Sequence, residues 1–198
     1  MENFRDLGGL PLRGGGVTRS RAIWRSGHLD RVDAAGWAEL RTLGITTVVD
    51  LRNPEERAEA NDGPDDIQVL SLPLEDTTDP QYFGTWNNDW ATPDFSAWGR
   101  VRWPVLWSAV LTAIAEAPGG VLVHCAAGRD RTGLVSALLL ETAGVERAAV
   151  LEDYVRGIRE SSRHDIDEHV EEYSRALGRL LDDLHSEPEL RRAAAKLG

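Results

Sequence analysis

Apolar and polar positions along the chain change rhythm several times. Trp37, Leu40 and Leu43 recur at helical spacing behind Asp33, a residue type that caps helix starts, and Gly44 follows as a stop. This spacing predicts a helix over 33–43. Ile45-Thr46-Thr47-Val48-Val49 is β-branched throughout and predicts a buried central strand. The strand runs into Asp50-Leu51-Arg52, after which Asn53 is expected to cap, and Pro54 to start, a short helix through Glu59. Ile67 to Leu72 and Val121 to His124 are further strand candidates. Residues 1–27 read as short strands and turns. Within them Arg13-Gly14-Gly15-Gly16 lacks the lysine-threonine ending of a phosphate loop, so a hairpin turn is the better reading.

The C-terminal third is helical throughout. Leu134 and Leu138 belong to a helix ending near Gly144, and a second covers about Glu146 to Glu160. Ser162 and Asp165 resemble a capping pair, followed by Ile166, Val170, Tyr173, Leu177, Leu180 and Leu184 in steps of three and four. That stripe is expected to pack on the domain, with a dimer seam as the alternative. His164 and His169 are five apart, the wrong offset for two metal ligands on one helical face. Trp103 and Trp107, at i and i+4, predict the buried stripe of a helix to about Ala117. Residues 75–104 hold Trp86, Trp90, Trp98 and Trp103 with Pro80 and Pro93 and no clean period. Two readings stand there: a lid over a site, or an irregular loop pinned to the core by its tryptophans.

Strands alternating with helices imply an α/β fold with a largely parallel sheet, in one domain spanning residues 1–198. Ligands in such sheets gather at the carboxyl ends of the strands. Asp50-Leu51-Arg52 and Cys125 both stand at strand ends and are expected to face one crevice.

Composition narrows the classes. The 198 residues, 41% hydrophobic and 28% charged, suit one globular domain with a substantial core. A net charge of −11 argues against nucleic acid or an anionic membrane as partner, and it repels phosphorylated molecules at long range. Any anion site must therefore concentrate positive charge locally, with Arg129, Arg131 and Arg52 as suppliers. The single cysteine leaves no internal disulfide, no multi-cysteine zinc site and no resolving thiol for a redox relay. No apolar run approaches the ~20 residues needed to cross a bilayer and the first residues do not form a signal peptide, so stable membrane insertion is not expected and a cytoplasmic location is the default.

The chemistry is concentrated in residues 124–133, His124-Cys125-Ala126-Ala127-Gly128-Arg129-Asp130-Arg131-Thr132-Gly133. A strand precedes them and a helix follows. The first amides of a helix have no carbonyl partner within it, and with the helix dipole they favour negative charge. A thiol of ordinary pKa about 8.5 is expected to ionise more readily in that field. Arg131 adds a planar fork that pairs with two phosphate oxygens and follows charge in a transition state. Gly128 permits the twist that turns successive amides inward, so that the amides of Ala126 to Arg131, with Ala127, Gly128 and Arg129 among them, are expected to hold phosphate oxygens, and Thr132 is placed to donate a hydroxyl to the thiolate. A nucleophile in an anion cradle attacks phosphorus.

This stretch resembles the active-site loop of protein tyrosine phosphatases and their dual-specificity relatives, the cysteine-dependent CX5R phosphatases. With Asn3-Phe4-Arg5-Asp6-Leu7-Gly8-Gly9, Trp24-Arg25-Ser26-Gly27 and Val48-Val49-Asp50-Leu51-Arg52, the chain is similar to the bacterial atypical tyrosine phosphatases over roughly residues 3–160. The resemblance implies a phosphotyrosine protein phosphatase-like fold, a phosphocysteine intermediate and no metal or cofactor. It also implies activity on phosphotyrosine, often extending to phosphoserine, phosphothreonine or phosphoinositides. One position departs: the family usually has lysine where this chain has Arg129, which keeps the charge and widens the head group.

A proton donor for the leaving group is needed as well. Asp50 stands at a strand end and matches a family carboxylate near the phosphate. Asp130 lies in the loop, and Asp94 only faintly resembles the acid loop of larger tyrosine phosphatases. His124 is expected to tune the thiolate. The competing classes are a phosphoinositide or small-molecule phosphatase and a phosphate-binding protein without turnover. The expected partner is a phosphorylated protein or peptide.

Overall fold

Val121-Leu122-Val123 lie fully buried at the middle of the sheet, and their alternation explains the layers around them. In the computed structural model, which describes residues 1–57, 63–82, 92–161, 170–184 and 187–198, five strands pair in the order β1-β2-β5-β3-β4. These are β1 (Arg5–Asp6), β2 (Ile23–Ser26), β3 (Ile45–Asp50), β4 (Gln68–Ser71) and β5 (Gly120–His124). Only the β1–β2 pairing is antiparallel. Successive side chains of a strand point to opposite faces. Accordingly Ile23, Val49, Val121 and Val123 enter one core, and Trp24, Val48 and Leu122 enter the other.

The described helices are α1 (Ala34–Thr42), α2 (Pro93–Arg102), α3 (Pro104–Glu116), α4 (Asp130–Thr142), α5 (Arg147–Arg159), α6 (Val170–Asp182) and α7 (Pro188–Ala194). Helix α1 covers the smaller core with Trp37 and Leu40, and the Asp33 side chain accepts from the Gly36 amide as its cap. Helices α3 to α7 build the larger core. The expected α/β architecture and the strands around 45–49, 67–72 and 121–124 are present. The Gly-rich stretch forms a hairpin turn, with Leu12 N donating to Gly16 O and a bridge from Pro11 to Val17. The stripe of Tyr173, Leu177 and Leu180 packs on the larger core, with Leu177 fully buried.

Three local expectations need amendment. Residues 93–102, read as lid or irregular loop, form helix α2, started by the Thr92 hydroxyl accepting from the Phe95 amide. Trp98 and Trp103 join Phe95 and Tyr82 in an aromatic cluster there. After β3, residues 54–57 make a 3-10 turn rather than an α-helix. Its capping runs backwards: the Glu56 carboxylate accepts from the Asn53 amide, while the Asn53 Oδ1 has no hydrogen-bond partner among the described residues. Ala58 and Glu59, Trp86 and Trp90, the Ser162–Asp165 pair, Ile166, and both His164 and His169 lie outside the described residues.

Candidate active site

Strand β5 ends at His124 and helix α4 begins at Asp130, so the loop from Cys125 to Arg129 hangs between a sheet edge and a helix N-terminus. Cys125 is buried, at 3% exposure, and is a free thiol. Gly128 has φ +67, and a Cβ there would stand 2.4 Å from the carbonyl of Ser26. Only glycine satisfies both conditions.

The loop's carbonyls face away from the cradle and each is held from behind. His28 N donates to Ala126 O (2.9 Å), Asn3 Nδ2 to Ala127 O (3.0 Å) and Arg25 Nη2 to Gly128 O (2.6 Å). Among the described residues, the amides of Ala126, Ala127, Gly128 and Arg129 donate to no backbone carbonyl. Carbonyls turned outward put these amides on the inner side, the arrangement that receives an oxyanion.

Arg131 lies in the first turn of α4. Its guanidinium pairs with both oxygens of Glu56, and Nη1 is 3.7 Å from Glu75 Oε2. Burial works against its charge, but Glu56, the Cys125 side chain and Glu75 outweigh it and hold the pKa well above the usual arginine value. The cavity beside it, about 510 Å³, is lined by Asn53, Glu55, Glu56, Glu75, Thr77 and Tyr82. Burial pushes the Glu75 carboxyl up, and burial together with Glu75 pushes Tyr82 up to about 12.

Asp50 and His124 are paired neighbours on β3 and β5, as the strand-end argument expected. Asp50 is 1% exposed and fully engaged. It accepts from the Arg52 amide, from Arg52 Nε and Nη2, and from Arg57 Nε at 2.9–3.2 Å. Burial alone would raise its pKa; Arg52 reverses that and keeps it below the ordinary aspartate value. Arg52 in turn grips Asp30 with both prongs at 2.9 Å, so its charge is spent within this cluster. His124 Nδ1 is 3.2 Å from Cys125 O. Burial lowers its pKa despite Asp50 at 3.8 Å, and a neutral ring meets a carbonyl only with the proton on Nδ1.

Asp130 sits at the start of α4, its side chain 21% exposed and both oxygens 3.1 Å from Arg129 Nε. The Arg129 side chain is 1% exposed and drawn inward, where its charge acts on Tyr154 of α5; its Nη1 has no partner among the described residues. The Thr132 hydroxyl, fully buried, makes no hydrogen bond among the described residues, Cys125 included. Asp94 lies on the exposed side of α2, 3.6 Å from Arg179 of α6. Among the described residues no cluster of three His, Cys, Asp or Glu is arranged for a metal ion.

The structure thus gathers Cys125, the loop amides, Asp130 and Arg131 at one end of the sheet, with Asp50, Arg52 and His124 packed beside them. Glu56, Glu75, Asn3 and Arg25 were not singled out by sequence reasoning as parts of the site. For the glutamates a signal existed, because both follow the carboxyl ends of parallel strands, where ligands gather.

A model of the tyrosine phosphatase family matches residues 1–196. Triple specificity protein phosphatase PtpB of Mycobacterium tuberculosis is 33% identical over 192 residues, covering 78% of this chain and 66% of that protein. A tyrosine-protein phosphatase of Nostoc commune is 33% identical over 143 residues, covering 67% of this chain and 47% of that one. The chain therefore spans between about half and two thirds of the length of these curated relatives. The crystal structure of P. aeruginosa TpbA superposes with a TM-score of 0.43 at 23% identity, covering 82% of this chain and 85% of its own.

Proposed function

We propose, because the chain belongs to the tyrosine phosphatase family, that it hydrolyses phosphate monoesters of tyrosine side chains, extending to serine and threonine, through a phosphocysteine intermediate. The observation that carries this reading is the inward-facing amide cradle between Cys125 and Arg131. The Cys125 thiolate attacks phosphorus in line, an S–P bond forms and the P–O bond to the leaving group breaks. The loop amides and Arg131 hold the equatorial oxygens as charge builds on them. Water then attacks phosphorus, the S–P bond breaks, and phosphate leaves with the thiolate restored.

Asp130 is the better-supported proton carrier. Arg129 Nε lies 3.1 Å from both its oxygens, but the Asp130 side chain is 21% exposed where Asp50 is 1%. It can therefore take up a proton from water, give it to the leaving oxygen and accept one from the attacking water in the second step. Asp50, pinned by Arg52 and Arg57 in its ionised form, serves instead to order the base of the site with His124.

A phosphorylated protein or peptide suits the entrance better than a phosphoinositide. The Arg129 side chain is 1% exposed and paired with Asp130, which leaves it little reach to a second phosphate, and Glu55, Glu56 and Glu75 around the cavity repel additional anionic groups. Relatives named as tyrosine-protein phosphatase and as triple specificity phosphatase support the same class. A thiol that works as a thiol suits a reducing compartment such as the cytoplasm.

The experiment is a panel of phosphotyrosine, phosphoserine and phosphothreonine peptides with phosphoinositides, run on the wild type and on Cys125→Ser. Turnover of phosphotyrosine peptides by the wild type is expected, with none by the variant, which still binds phosphate. Residual turnover by Cys125→Ser would remove the phosphocysteine route, and phosphate binding without any turnover by the wild type would make the chain a recognition module.

A further inference from the structure

Arg25 lies on β2 with no exposed surface at all. A charged group so placed is costly unless it is fully engaged. Its Nη1 is 2.5 Å from Asp153 Oδ2 on α5, and its Nη2 donates to Gly128 O. Asp153 is shared: Arg5 Nε donates to its Oδ1 and Arg5 Nη2 to its backbone carbonyl. Burial opposes ionisation of Asp153, yet Arg25 and Arg5 outweigh it and hold its pKa below the usual aspartate value. Two guanidinium groups surround one carboxylate behind the loop, and a second carboxylate, Glu160, lies 3.5 Å from Arg5 at the surface. Arg5 also donates to both oxygens of Asn3, whose own amide holds Ala127 O.

Resting on the phosphatase reading, the geometry points to Arg25 as a positioning residue for the phosphate cradle, with Asn3 as its junior partner. Donation into Gly128 O polarises the peptide group that carries the Arg129 amide and fixes the plane in which that amide points. The Asn3 bond to Ala127 O does the same for the Gly128 amide. The residues so engaged touch neither substrate nor thiol; they set how strongly and in which direction the amides donate.

The surrounding packing offers a test that separates this role from simple stability. Gly157 on α5 makes room for the guanidinium: a Cβ there would lie 2.6 Å from Arg25 Nη2. Alanine for glycine within a helix ordinarily stabilises it. Gly157→Ala therefore displaces the Arg25 head group without removing it.

The wild type, Arg25→Met, Asn3→Ala and Gly157→Ala are compared for orthovanadate affinity, for kcat and KM on a phosphotyrosine peptide, and for Tm. Arg25→Met is expected to bind orthovanadate about tenfold more weakly, the scale of one hydrogen bond from a charged donor. Asn3→Ala and Gly157→Ala are expected to lose affinity by a smaller factor, with KM rising more than kcat falls. A merely structural Arg25 would lower Tm and leave affinity per folded molecule unchanged. Unchanged orthovanadate affinity in folded Arg25→Met overturns the proposal, and if that variant does not fold, unchanged affinity in Gly157→Ala overturns it. A wild type that binds orthovanadate but hydrolyses no phosphate ester would overturn the phosphatase reading alone, since the affinity comparison still decides the role of Arg25.

Discussion

The guanidinium of Arg131 meets Glu56 prong to prong, with Nη1 2.5 Å from Oε2 and Nη2 2.6 Å from Oε1. A phosphate guest draws on the same guanidinium, whose five N–H donors it would share with Glu56. Glu56 thus competes with an anionic guest for the charge of Arg131.

Replacing Glu56→Ala is expected to tighten orthovanadate binding by about three- to tenfold, the scale of a partly exposed ion pair. Isothermal titration measures it directly. Unchanged or weaker binding would mean that Glu56 orients Arg131 rather than competing for it. Burial raises the Glu56 pKa but Arg131 overrides this and lowers it, so the contact persists at neutral pH. It loosens only as pH falls below the ordinary glutamate value of about 4.3.

Asp130→Asn and Asp50→Asn should separate by leaving group. For Asp130→Asn we expect kcat to fall about a hundredfold on a phosphoserine peptide and far less on p-nitrophenyl phosphate, whose leaving group needs little protonation. Asp50→Asn is expected to cost stability, because Arg52 and Arg57 lose their shared anion, and to slow both substrates alike. Equal, small losses on both substrates for Asp130→Asn would remove it as the proton carrier.

His124 makes folding sensitive to mild acid. Burial depresses its pKa from the ordinary 6.5, so the unfolded chain takes up a proton there before the folded one does. Its contribution to stability is complete above about 6.5 and is lost as pH falls toward its lowered folded value. Glu75, whose pKa burial raises, has the opposite sign: its contribution is present in acid and lost as pH rises through its folded pKa. Tm recorded from pH 7 to pH 5 should fall less in His124→Gln than in the wild type and more in Glu75→Gln. Parallel curves for all three chains would contradict both assignments.

Gly128→Ala and Gly9→Ala form a controlled pair. Both residues have positive φ, +67 and +80, but only the Cβ at 128 meets an obstacle, the Ser26 carbonyl at 2.4 Å. Gly9→Ala should cost about 1 kcal/mol from backbone strain alone. Gly128→Ala should cost about 2–4 kcal/mol, adding forced main-chain displacement, and should abolish phosphate binding. Urea denaturation gives both values; equal costs would show that the loop has room to move.

Much of the fold was legible because its signals are local. The β-branched run 45–49, the Asp33 cap and the strand–loop–helix of 121–140 each declare themselves within a few residues. Helix α2 did not, since its Phe95 and Trp98 pack with Trp103 beyond its end in an aromatic cluster rather than on a regular apolar stripe. The candidate nucleophile and Arg131 were readable from spacing. The burial of Arg129 was not, because it depends on what packs over the start of α4 rather than on the loop's own residues. Arg52 was read as a source of charge for substrate, yet Asp30, 22 positions earlier, claims it. Glu56 and Asn3 are ordinary polar residues until the fold brings them to the loop.

The bonds that hold the loop also bear on how the chain matures. Asn3 and Ala127 are 124 positions apart, and Arg25 and Gly128 are 103 apart. Contacts across such separations require most of the loop-closure entropy to be overcome first, so they form late in folding. A chain still leaving the ribosome, or one that has collapsed without docking its N-terminal segment, would carry Cys125 and Arg131 but no ordered cradle. Binding of a phosphate mimic during refolding should therefore appear only in the final kinetic phase, after the bulk of the helical signal. On the proposed reading, catalytic competence would come only after the N-terminal segment has docked against the loop.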